Sequence, residues 1–353
     1  MGLKRCPAPD IGDFTILIRV VGIVIVGLLW NSGMAQQPAG PQPSSNGRMV
    51  DLGGHRLHIN CTGKGSPTVI LEGGFEEFSF DWALVQSKVA DSTRVCSYDR
   101  AGYAWSDSGP KPRTFLQINL ELHDALAKID EGGPYVLVGH SFGGPIVRNF
   151  ANKYPDEVAG IVFVDAVSED QRFEMWKKAV LMRDGAKGKT IPPPHENILA
   201  SDTPDVPMYY REGKAEAVDQ PFDRLPGDVQ KLQLWAQSQR ALAAAEENER
   251  TWSPEYFALW HNDPKLSTLG AIPLIVLTRA QGGFKDLDIT AAQQEAERKR
   301  AQAQLVALST HGEQRIVASG EDMQVEAPGA VAGAIEDVVK IARKRHAAPR
   351  IMK

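Results

Sequence analysis

The chain has 353 residues, of which 42% are hydrophobic and 24% are charged, so it holds enough apolar material for one large core or two small ones. Its formal net charge of −5 provides no domain-wide basic surface, which excludes nucleic acid as an expected partner. Basic runs such as Arg298–Arg300 lie among mixed charges and are typical of a solvated helix face.

The first 35 residues have the outline of a secretory signal peptide. Lys4 and Arg5 precede an apolar stretch, Phe14–Trp30, and small residues follow at Gly33 and Ala35, which predicts cleavage after residue 35. An uncleaved membrane anchor is the alternative, because the arginine within the stretch can extend its charge to the interface. We therefore expect an exported protein, periplasmic or secreted, with membrane contact only through this segment.

Residues 36–48 are rich in Gln, Pro, Gly and Ser and predict a flexible linker. Strand-like and helix-like segments then alternate, which predicts an α/β fold with a mostly parallel, roughly eight-stranded sheet and helices on both faces. We assign this core to residues 49–166 and 270–345. The expected strands are Arg56–Cys61, Thr68–Leu71, Thr93–Tyr98, Tyr135–Val138, Gly160–Val164, Pro273–Thr278 and Gln314–Ala318. The expected core helices are Phe115–Ile129, Pro145–Lys153 and Pro328–Lys344.

Residues 167–269 break the alternation and carry no strong strand pattern. The segment predicts helices over Glu169–Arg183, Asp228–Arg250 and Ser253–His261. An insertion of this size predicts a helical lid over the site rather than a loop. Trp176 and Trp235 are candidates for an acyl pocket there, although such residues more often form lid core.

The strongest motif follows the strand Tyr135–Val138. Gly139-His140-Ser141-Phe142-Gly143 matches G-x-S-x-G between a strand and a helix, the pattern of a nucleophile elbow. The serine occupies a strained turn, and close packing requires residues without side chains two positions before and after it. Ser141 is therefore the predicted nucleophile.

With this motif and two flanking runs, the chain resembles the α/β-hydrolase superfamily, and within it a bacterial group of exported, esterase-like serine hydrolases. The runs are Cys96-Ser-Tyr-Asp-Arg-Ala-Gly-Tyr-Ala-Trp-Ser-Asp107 and Pro134-Tyr-Val-Leu-Val-Gly-His-Ser-Phe-Gly-Gly144. The resemblance covers roughly residues 53–342. It implies that the strands holding Cys61 and Cys96 are neighbours and that the two cysteines form a disulfide, whereas two buried thiols are the alternative.

The resemblance also implies the positions of the oxyanion donors. One is the backbone N–H of Phe142, directly after the nucleophile. The other follows the strand that ends in Glu72, where Phe75 is the first choice and Gly74 the second. A tight turn at these glycines is compatible with either choice.

The residues at the positions of the orienting acid and the base match the family pattern less well than the elbow does. Asp165, at the carboxyl end of its strand, is the favoured acid, with Asp286 and Asp288 as runners-up and a simple helix cap as the alternative role for Asp165. Similar proteins have Ser-Gly-His after the last strand. Here Ser319 and Gly320 are followed by Glu321, so a glutamate stands at the position of the base.

No histidine offers an evident replacement. His140 belongs to the elbow, and its side chain is expected to point away from the base position. His311 precedes the last strand and should lie at the opposite end of the sheet. His195 and His261 belong to the predicted lid, and no local pattern favours either one.

These residues predict a serine hydrolase of esterase type that forms an acyl-enzyme on Ser141, with Asp165 and Glu321 completing the site. Activity is expected to be weak or shifted to acidic pH, unless burial or Asp165 raises the pKa of Glu321. A catalytically inactive protein that binds a ligand in the same fold is the alternative. The expected partner is a small molecule, in the first case an ester, and no cofactor or metal is expected.

Overall fold

A large sheet forms the centre of the protein, whose structure is a computed structural model. The structure describes residues 42–175, 178–195, 217–266, 268–282 and 289–347. The strands are β1 (Arg48–Asp51), β2 (Arg56–Thr62), β3 (Thr68–Glu72), β4 (Val95–Tyr98), β5 (Tyr135–His140), β6 (Val158–Val164), β7 (Arg172–Met175), β8 (Lys178–Leu181), β9 (Leu274–Arg279) and β10 (Gly312–Val317). The α-helices are α1 (Ala83–Val89), α2 (Phe115–Lys128), α3 (Gly143–Lys153), α4 (Gly227–Gln237), α5 (Arg240–Asn262), α6 (Ala291–Ala307), α7 (Met323–Glu326) and α8 (Pro328–Ala347).

The sheet has eight strands in the order β1-β2-β4-β3-β5-β6-β9-β10. β2 runs antiparallel to β1 and β4, and every other neighbouring pair in this sheet is parallel. The predicted mostly parallel, roughly eight-stranded sheet is confirmed, with β1 as a strand that the sequence pattern did not indicate. The carboxyl ends of β3, β5, β6 and β9 meet at one edge, where sites form in such sheets.

The four central strands are buried along nearly their whole length, as their continuous apolar and β-branched sequences predict. Alternate side chains face opposite layers. One layer packs on α2 and α3 and includes Ile70, Leu137, Ile161, Val276, Leu122, Val147 and Phe150. The other packs on α1 and α8 and includes Val69, Val136, Val162, Ile275, Val85, Val331 and Ile335. Helices therefore cover both faces of the sheet. A site has to form at the carboxyl edge of the strands, which the helices leave uncovered.

The start of the inserted segment differs from the expected helix over Glu169–Arg183. β7 and β8 form an antiparallel hairpin there, and a 3₁₀ turn, Met182–Gly185, follows. The Met182 amide donates to the carbonyl of Gln171 at 2.9 Å, which closes the hairpin. The sequence Arg-Phe-Glu-Met alternates with period two as well as fitting a helix, and the alternating pattern prevails.

Two helices, α4 and α5, occupy the later part of the segment, as predicted. The break between them lies after Gln237 and not after Arg250. α4 ends before Ser238, whose hydroxyl donates to the carbonyl of Trp235 at 2.7 Å and thereby competes with the backbone. α5 then runs through Pro254, which lacks the N–H that would bond to the carbonyl of Arg250. The Ser253 hydroxyl donates to that carbonyl at 3.4 Å, so the helix continues where the sequence predicted an interruption.

Cys61 and Cys96 stand opposite each other on β2 and β4 and form a disulfide, as the resemblance implied. The bond joins positions 35 residues apart. No helix within the described ranges has the length and apolar character to cross a bilayer. The predicted signal peptide or anchor, residues 1–35, lies outside those ranges.

Replacing both cysteines, Cys61→Ala with Cys96→Ala, should lower the free energy of unfolding by about 3–4 kcal/mol, because the disulfide restricts the unfolded chain over a long loop. Urea unfolding of parent and double variant, with and without a reductant, measures this loss. Reductant should bring the parent to the level of the variant. A parent that already matches the variant without reductant would show that the cysteines are not bonded.

Candidate active site

The elbow after β5 has the strained geometry that its sequence predicts. Ser141 has a φ of 46°, and its amide donates to the carbonyl of Val164 on β6 at 3.0 Å. A Cβ on Gly139 would lie 2.6 Å from the carbonyl oxygen of Gly143, so a side chain there would collide with the start of α3. The turn thus holds the serine above the sheet at the beginning of the helix.

The Ser141 hydroxyl donates to Oε1 of Glu321 at 3.0 Å. Glu321 lies in the loop between β10 and α7, and its side chain is 44% exposed. The structure therefore brings the predicted nucleophile and the glutamate at the base position into direct contact. A carboxylate at this distance can accept the serine proton when the hydroxyl attacks.

Arg279 joins the two predicted acidic residues of the site. Its Nη1 atom lies 2.7 Å from Oε2 of Glu321 and 3.1 Å from Oδ2 of Asp165, while its backbone N–H donates to Oδ1 of Asp165 at 3.2 Å. Asp165 therefore reaches Glu321 through a guanidinium and not directly. Arg279 was not among the predicted site residues, although its place at the carboxyl end of β9 is the signal that could have indicated it.

The charges around Glu321 decide its protonation. Burial alone would raise its pKa, but Arg279, the cationic ring of His140 and the Ser141 hydroxyl lower it by more, so the pKa lies below its ordinary value. The sequence left open whether the pKa of Glu321 is raised, and Arg279 is the main reason why it is lowered instead. For Asp165 burial dominates, and its pKa is raised despite Arg279.

His140 is buried at 1% exposure, and its ring contacts the main chain of Glu321, so the prediction that it points away from the base position is wrong. Its Nδ1 lies 2.6 Å from Oε1 of Glu77, and its Nε2 lies 3.0 Å from the main-chain oxygen of Glu321. Burial alone would lower the pKa of His140, but Glu77 and the nearby Asp322 and Glu321 raise it to about 10. An oxygen acceptor beside each ring nitrogen and the raised pKa favour the doubly protonated ring, which has no lone pair to act as a base.

Glu77, His140 and Asp322 also bring potential metal-ligand atoms within 4.8 Å of one another. Both ring nitrogens of His140 already donate to oxygen acceptors, which leaves the imidazole no lone pair for a metal. The described residues offer another such group at Cys61, Cys96 and Glu131, where the two sulfur atoms form the disulfide.

The turn after β3 approaches the serine closely. A Cβ on Gly74 would lie 3.2 Å from Cβ of Ser141. The Gly74 amide donates to Oε2 of Glu77 at 2.5 Å, so it is already used. Neither the Phe75 amide nor the Phe142 amide has an acceptor among the described residues, and the two rings stack with centroids 3.7 Å apart. This favours Phe75 over Gly74 as the second oxyanion donor, and that assignment stays a prediction.

Aromatic side chains from the core and from α5 surround this corner of the site. Phe142 packs against Phe115, which in turn contacts Tyr256 and Trp260 of α5. The guanidinium of Arg250, also on α5, lies 5.0 Å from the centroid of the Phe75 ring. Aromatic residues of α5 therefore pack against the rings beside Ser141.

The remaining candidates do not contact the serine within the described part of the chain. His195 donates to the Lys111 carbonyl, and His261 lies 3.4 Å from Asp170. His311 lies at the amino end of β10, opposite to the site, as predicted. Trp235 packs on Trp105, in a cluster that joins α4 and α5 to Phe78 and Tyr103. Three further candidates lie outside the described residues: Asp286, Asp288 and Trp176.

Comparison with known families assigns the fold. The model of the alpha/beta hydrolase fold family matches residues 67–271, more than half of the chain, and this range includes the elbow and Asp165. The chain belongs to the alpha/beta hydrolase fold family. Glu321 and Arg279 lie beyond the matched range, so the match does not include the base position.

Relatives of this hydrolase-fold chain are distant or partial. An uncharacterised protein of Schizosaccharomyces pombe is 35% identical over 144 residues, which are 32% of this chain and 26% of the relative. The bifunctional epoxide hydrolase 2 of Sus scrofa is 28% identical over 237 residues, 64% of this chain and 39% of the relative. This chain thus spans less than half the length of these curated relatives.

A solved enol-lactonase from Burkholderia xenovorans superposes with a TM-score of 0.57 at 13% identity. The superposition covers 83% of this chain and 100% of the lactonase. At this identity the likeness establishes the fold, and the chemistry has to be argued from the residues of the site.

Arg279→Met should leave Asp165 and Glu321 as neighbouring carboxylates without a cation. Their pKa values in the folded protein would rise above the unfolded values, so folding would become less favourable as pH rises through the unfolded values. We expect a loss of about 3 kcal/mol at pH 7 and a clearly smaller loss at pH 4. Urea unfolding at both pH values measures the difference.

Arg315→Met is the matched control, because Arg315 also pairs with two carboxylates but is 34% exposed. Its loss should stay within about 1 kcal/mol at either pH. An equal loss for Arg279→Met at pH 4 and pH 7 would mean that packing, and not charge, explains the effect.

Proposed function

We propose that this chain is a serine hydrolase of the esterase type, which forms an acyl-enzyme on Ser141 and releases the acyl group to water. The observation that carries this proposal is the hydrogen bond from the Ser141 hydroxyl to Glu321 at 3.0 Å, on a strained elbow. The amides of Phe75 and Phe142 lie beside this serine and support the same reaction.

The proposed reaction begins when Oγ of Ser141 attacks the ester carbonyl and its proton passes to Oε1 of Glu321. The carbonyl oxygen becomes an oxyanion, which accepts hydrogen bonds from the Phe75 and Phe142 amides. The intermediate then expels the alcohol, which takes the proton from Glu321. Water repeats the sequence on the acyl-serine and releases the acid.

The lowered pKa of Glu321 makes the two halves of this proton transfer unequal. A weakly basic carboxylate accepts the serine proton poorly, and its conjugate acid gives the proton to the leaving alcohol readily. The attack step should therefore limit the rate. The carboxylate also stays ionised at pH values where an ordinary histidine base is protonated, so activity should be slow but persist into acidic conditions.

A protein that binds a ligand without turning it over is the second candidate. The weak basicity of Glu321 favours it, because the Arg279 ion pair stabilises the ionised carboxylate and makes proton acceptance unfavourable. The retained elbow distinguishes the candidates only weakly, because its glycines also serve the packing of β5 against α3.

Hydrolysis of a short-chain nitrophenyl ester from pH 4 to pH 9 tests the proposal. The parent should show slow turnover that Ser141→Ala abolishes, with an acidic limb below the ordinary pKa of histidine, about 6.5. Glu321→His should raise the rate at pH 8 by about a hundredfold and move the acidic limb towards pH 6–7. The limb moves up because imidazole must lose its proton before it can accept another.

Glu321→Gln is the isosteric control, since it keeps a hydrogen-bond acceptor but cannot accept the proton. It should lower serine-dependent turnover by about tenfold or more. Turnover that Ser141→Ala leaves unchanged would refute the hydrolase. A silent parent that also fails to react with a fluorophosphonate, beside an active Glu321→His variant, would favour the binding protein.

We also propose that the substrate is a small ester with an apolar acyl part, because the half-buried Phe75 lies beside the serine and is backed by the buried rings of Phe142 and α5. A proposed export of the protein agrees with the disulfide, since such bonds persist in oxidising compartments.

Expression of the full chain in a bacterium with a periplasm tests the export. We expect the mature chain in the periplasmic or secreted fraction with Gln36 as its first residue, measured by intact mass and amino-terminal sequencing. Full-length chain in the membrane fraction would instead support the anchor. Recovery of the intact chain in the cytoplasm would contradict both versions of the proposal.

A further inference from the structure

Glu77 and His140 form a buried ion pair that the proposed reaction does not use. Their exposed fractions are 6% and 1%, and Nδ1 of the ring lies 2.6 Å from Oε1 of the carboxylate. Taking two charges out of water is costly, and a pair of this kind is weak evidence for stability. Its contacts point to a different use.

On one side, the Glu77 carboxylate fixes the turn that follows β3. Its Oε2 atom accepts the Gly74 amide at 2.5 Å. The next amide along the chain, that of Phe75, is the proposed oxyanion donor. Arg100 donates from Nη2 to the Gly74 carbonyl at 2.8 Å, and this carbonyl shares one planar peptide unit with the Phe75 N–H. Glu77 and Arg100 therefore hold the peptide units on both sides of the Gly74 Cα, which together set the direction of the Phe75 amide.

On the other side, the His140 ring fixes the loop that carries Glu321. Its Nε2 atom donates to the main-chain oxygen of Glu321 at 3.0 Å. Gln324, in the following helix α7, donates from Nε2 to Oε1 of Glu77 at 2.9 Å. The loop is therefore bound to the pair at two points, and His140 itself directly precedes Ser141.

We propose that Glu77 and His140 are positioning residues, which together hold the Phe75 amide, the Ser141 hydroxyl and the Glu321 carboxylate in register for acyl transfer. The inference rests on the proposed function and deepens it. Neither side chain touches the reacting atoms: His140 acts through the main-chain oxygen of Glu321, and Glu77 acts through the amide of Gly74, the residue before Phe75.

The charge on the ring adds a measurable consequence. His140 lowers the pKa of Glu321, and loss of this cation should move the acidic limb of the pH profile upward. The other charged groups that influence Glu321 or its loop stay in place, namely Arg279, Asp165, Asp322, and Glu326, which binds the Gly320 amide.

His140→Gln is the test variant, and His58→Gln is its matched control. The His58 ring is also buried beside a carboxylate: its Nδ1 lies 2.8 Å from Asp99, 1% of its side chain is exposed, and among the described residues it does not contact Ser141, Glu321 or the Gly74 turn. Both variants remove an imidazole from a buried pair with a carboxylate. Urea unfolding places their stabilities on one scale before kinetics are compared.

Kinetics of nitrophenyl ester hydrolysis from pH 4 to pH 9 then separate the two roles. In His140→Gln, kcat should fall about tenfold to a hundredfold while KM changes less than about threefold. Its acidic limb should move upward by about half a pH unit or more, whereas that of His58→Gln should not move. Glu77→Gln should lower kcat to a similar extent, and the double variant should lose less than the product of the single losses.

Equal losses of kcat in His140→Gln and His58→Gln, with no movement of the acidic limb, would overturn the positioning role and leave the proposed function intact. A parent without turnover that depends on Ser141 would overturn the proposed function, and the positioning role with it.

A measurement that needs no turnover checks the pair itself. Long-range nitrogen–proton spectra of the histidine rings should show both nitrogens of His140 protonated at pH 8, because its pKa is raised to about 10. A neutral His140 ring at pH 7 would overturn the proposed ion pair.

Discussion

The guanidinium of Arg279 is the interaction on which the site depends. Two carboxylates, the buried Asp165 and the partly exposed Glu321, converge at the carboxyl edge of the sheet, and without a cation between them their charges would repel. Arg279 is 8% exposed and reaches both from one nitrogen atom. The bridge gives the glutamate a fixed orientation towards Ser141, which an unpaired carboxylate in a loop would lack.

The same bridge lowers the basicity of the group that it orients. A carboxylate bound to a guanidinium gains most when it is ionised, and accepting a proton weakens that attraction. Glu321 therefore lies within hydrogen-bond distance of the Ser141 hydroxyl but is a weak base. An imidazole at position 321 would change both properties, because a neutral ring gains no such attraction from the guanidinium and its ordinary pKa of about 6.5 lies well above that of a carboxylate.

The core of the fold could be predicted from the sequence, because its strands are continuous apolar runs that end in turns, and such runs have few other arrangements. The elbow could be predicted for the same local reason. Arg279 and Glu77 could not, because their roles come from partners distant in sequence, such as Asp165 and His140. The hairpin β7–β8 was missed since its residues fit both periods.

Buried charges in this protein converge on one turn. Arg100, from the loop after β4, donates to the carbonyls of Gly73 and Gly74 at 2.8 Å each and pairs with Glu72 and with Glu249 of α5. Glu77 binds the Gly74 amide of the same turn from the opposite direction. These contacts fix both the donors and the acceptors of the peptide groups that lead to Phe75.

These buried ion pairs are costly for stability, because each buried ion loses its hydration. Apolar side chains of the same volume would stabilise the fold more. The ion pairs are understandable where an amide must stay aimed at a developing negative charge, because a donor that is already oriented needs no rearrangement during the reaction. The inserted segment takes part through Glu249, so the α5 helix both covers the corner beside Ser141 and completes the charges that hold it. The turn that leads to Phe75 is thus fixed by buried charges, and in the proposed reaction the proton acceptor, Glu321, is the component that differs from the pattern of similar proteins.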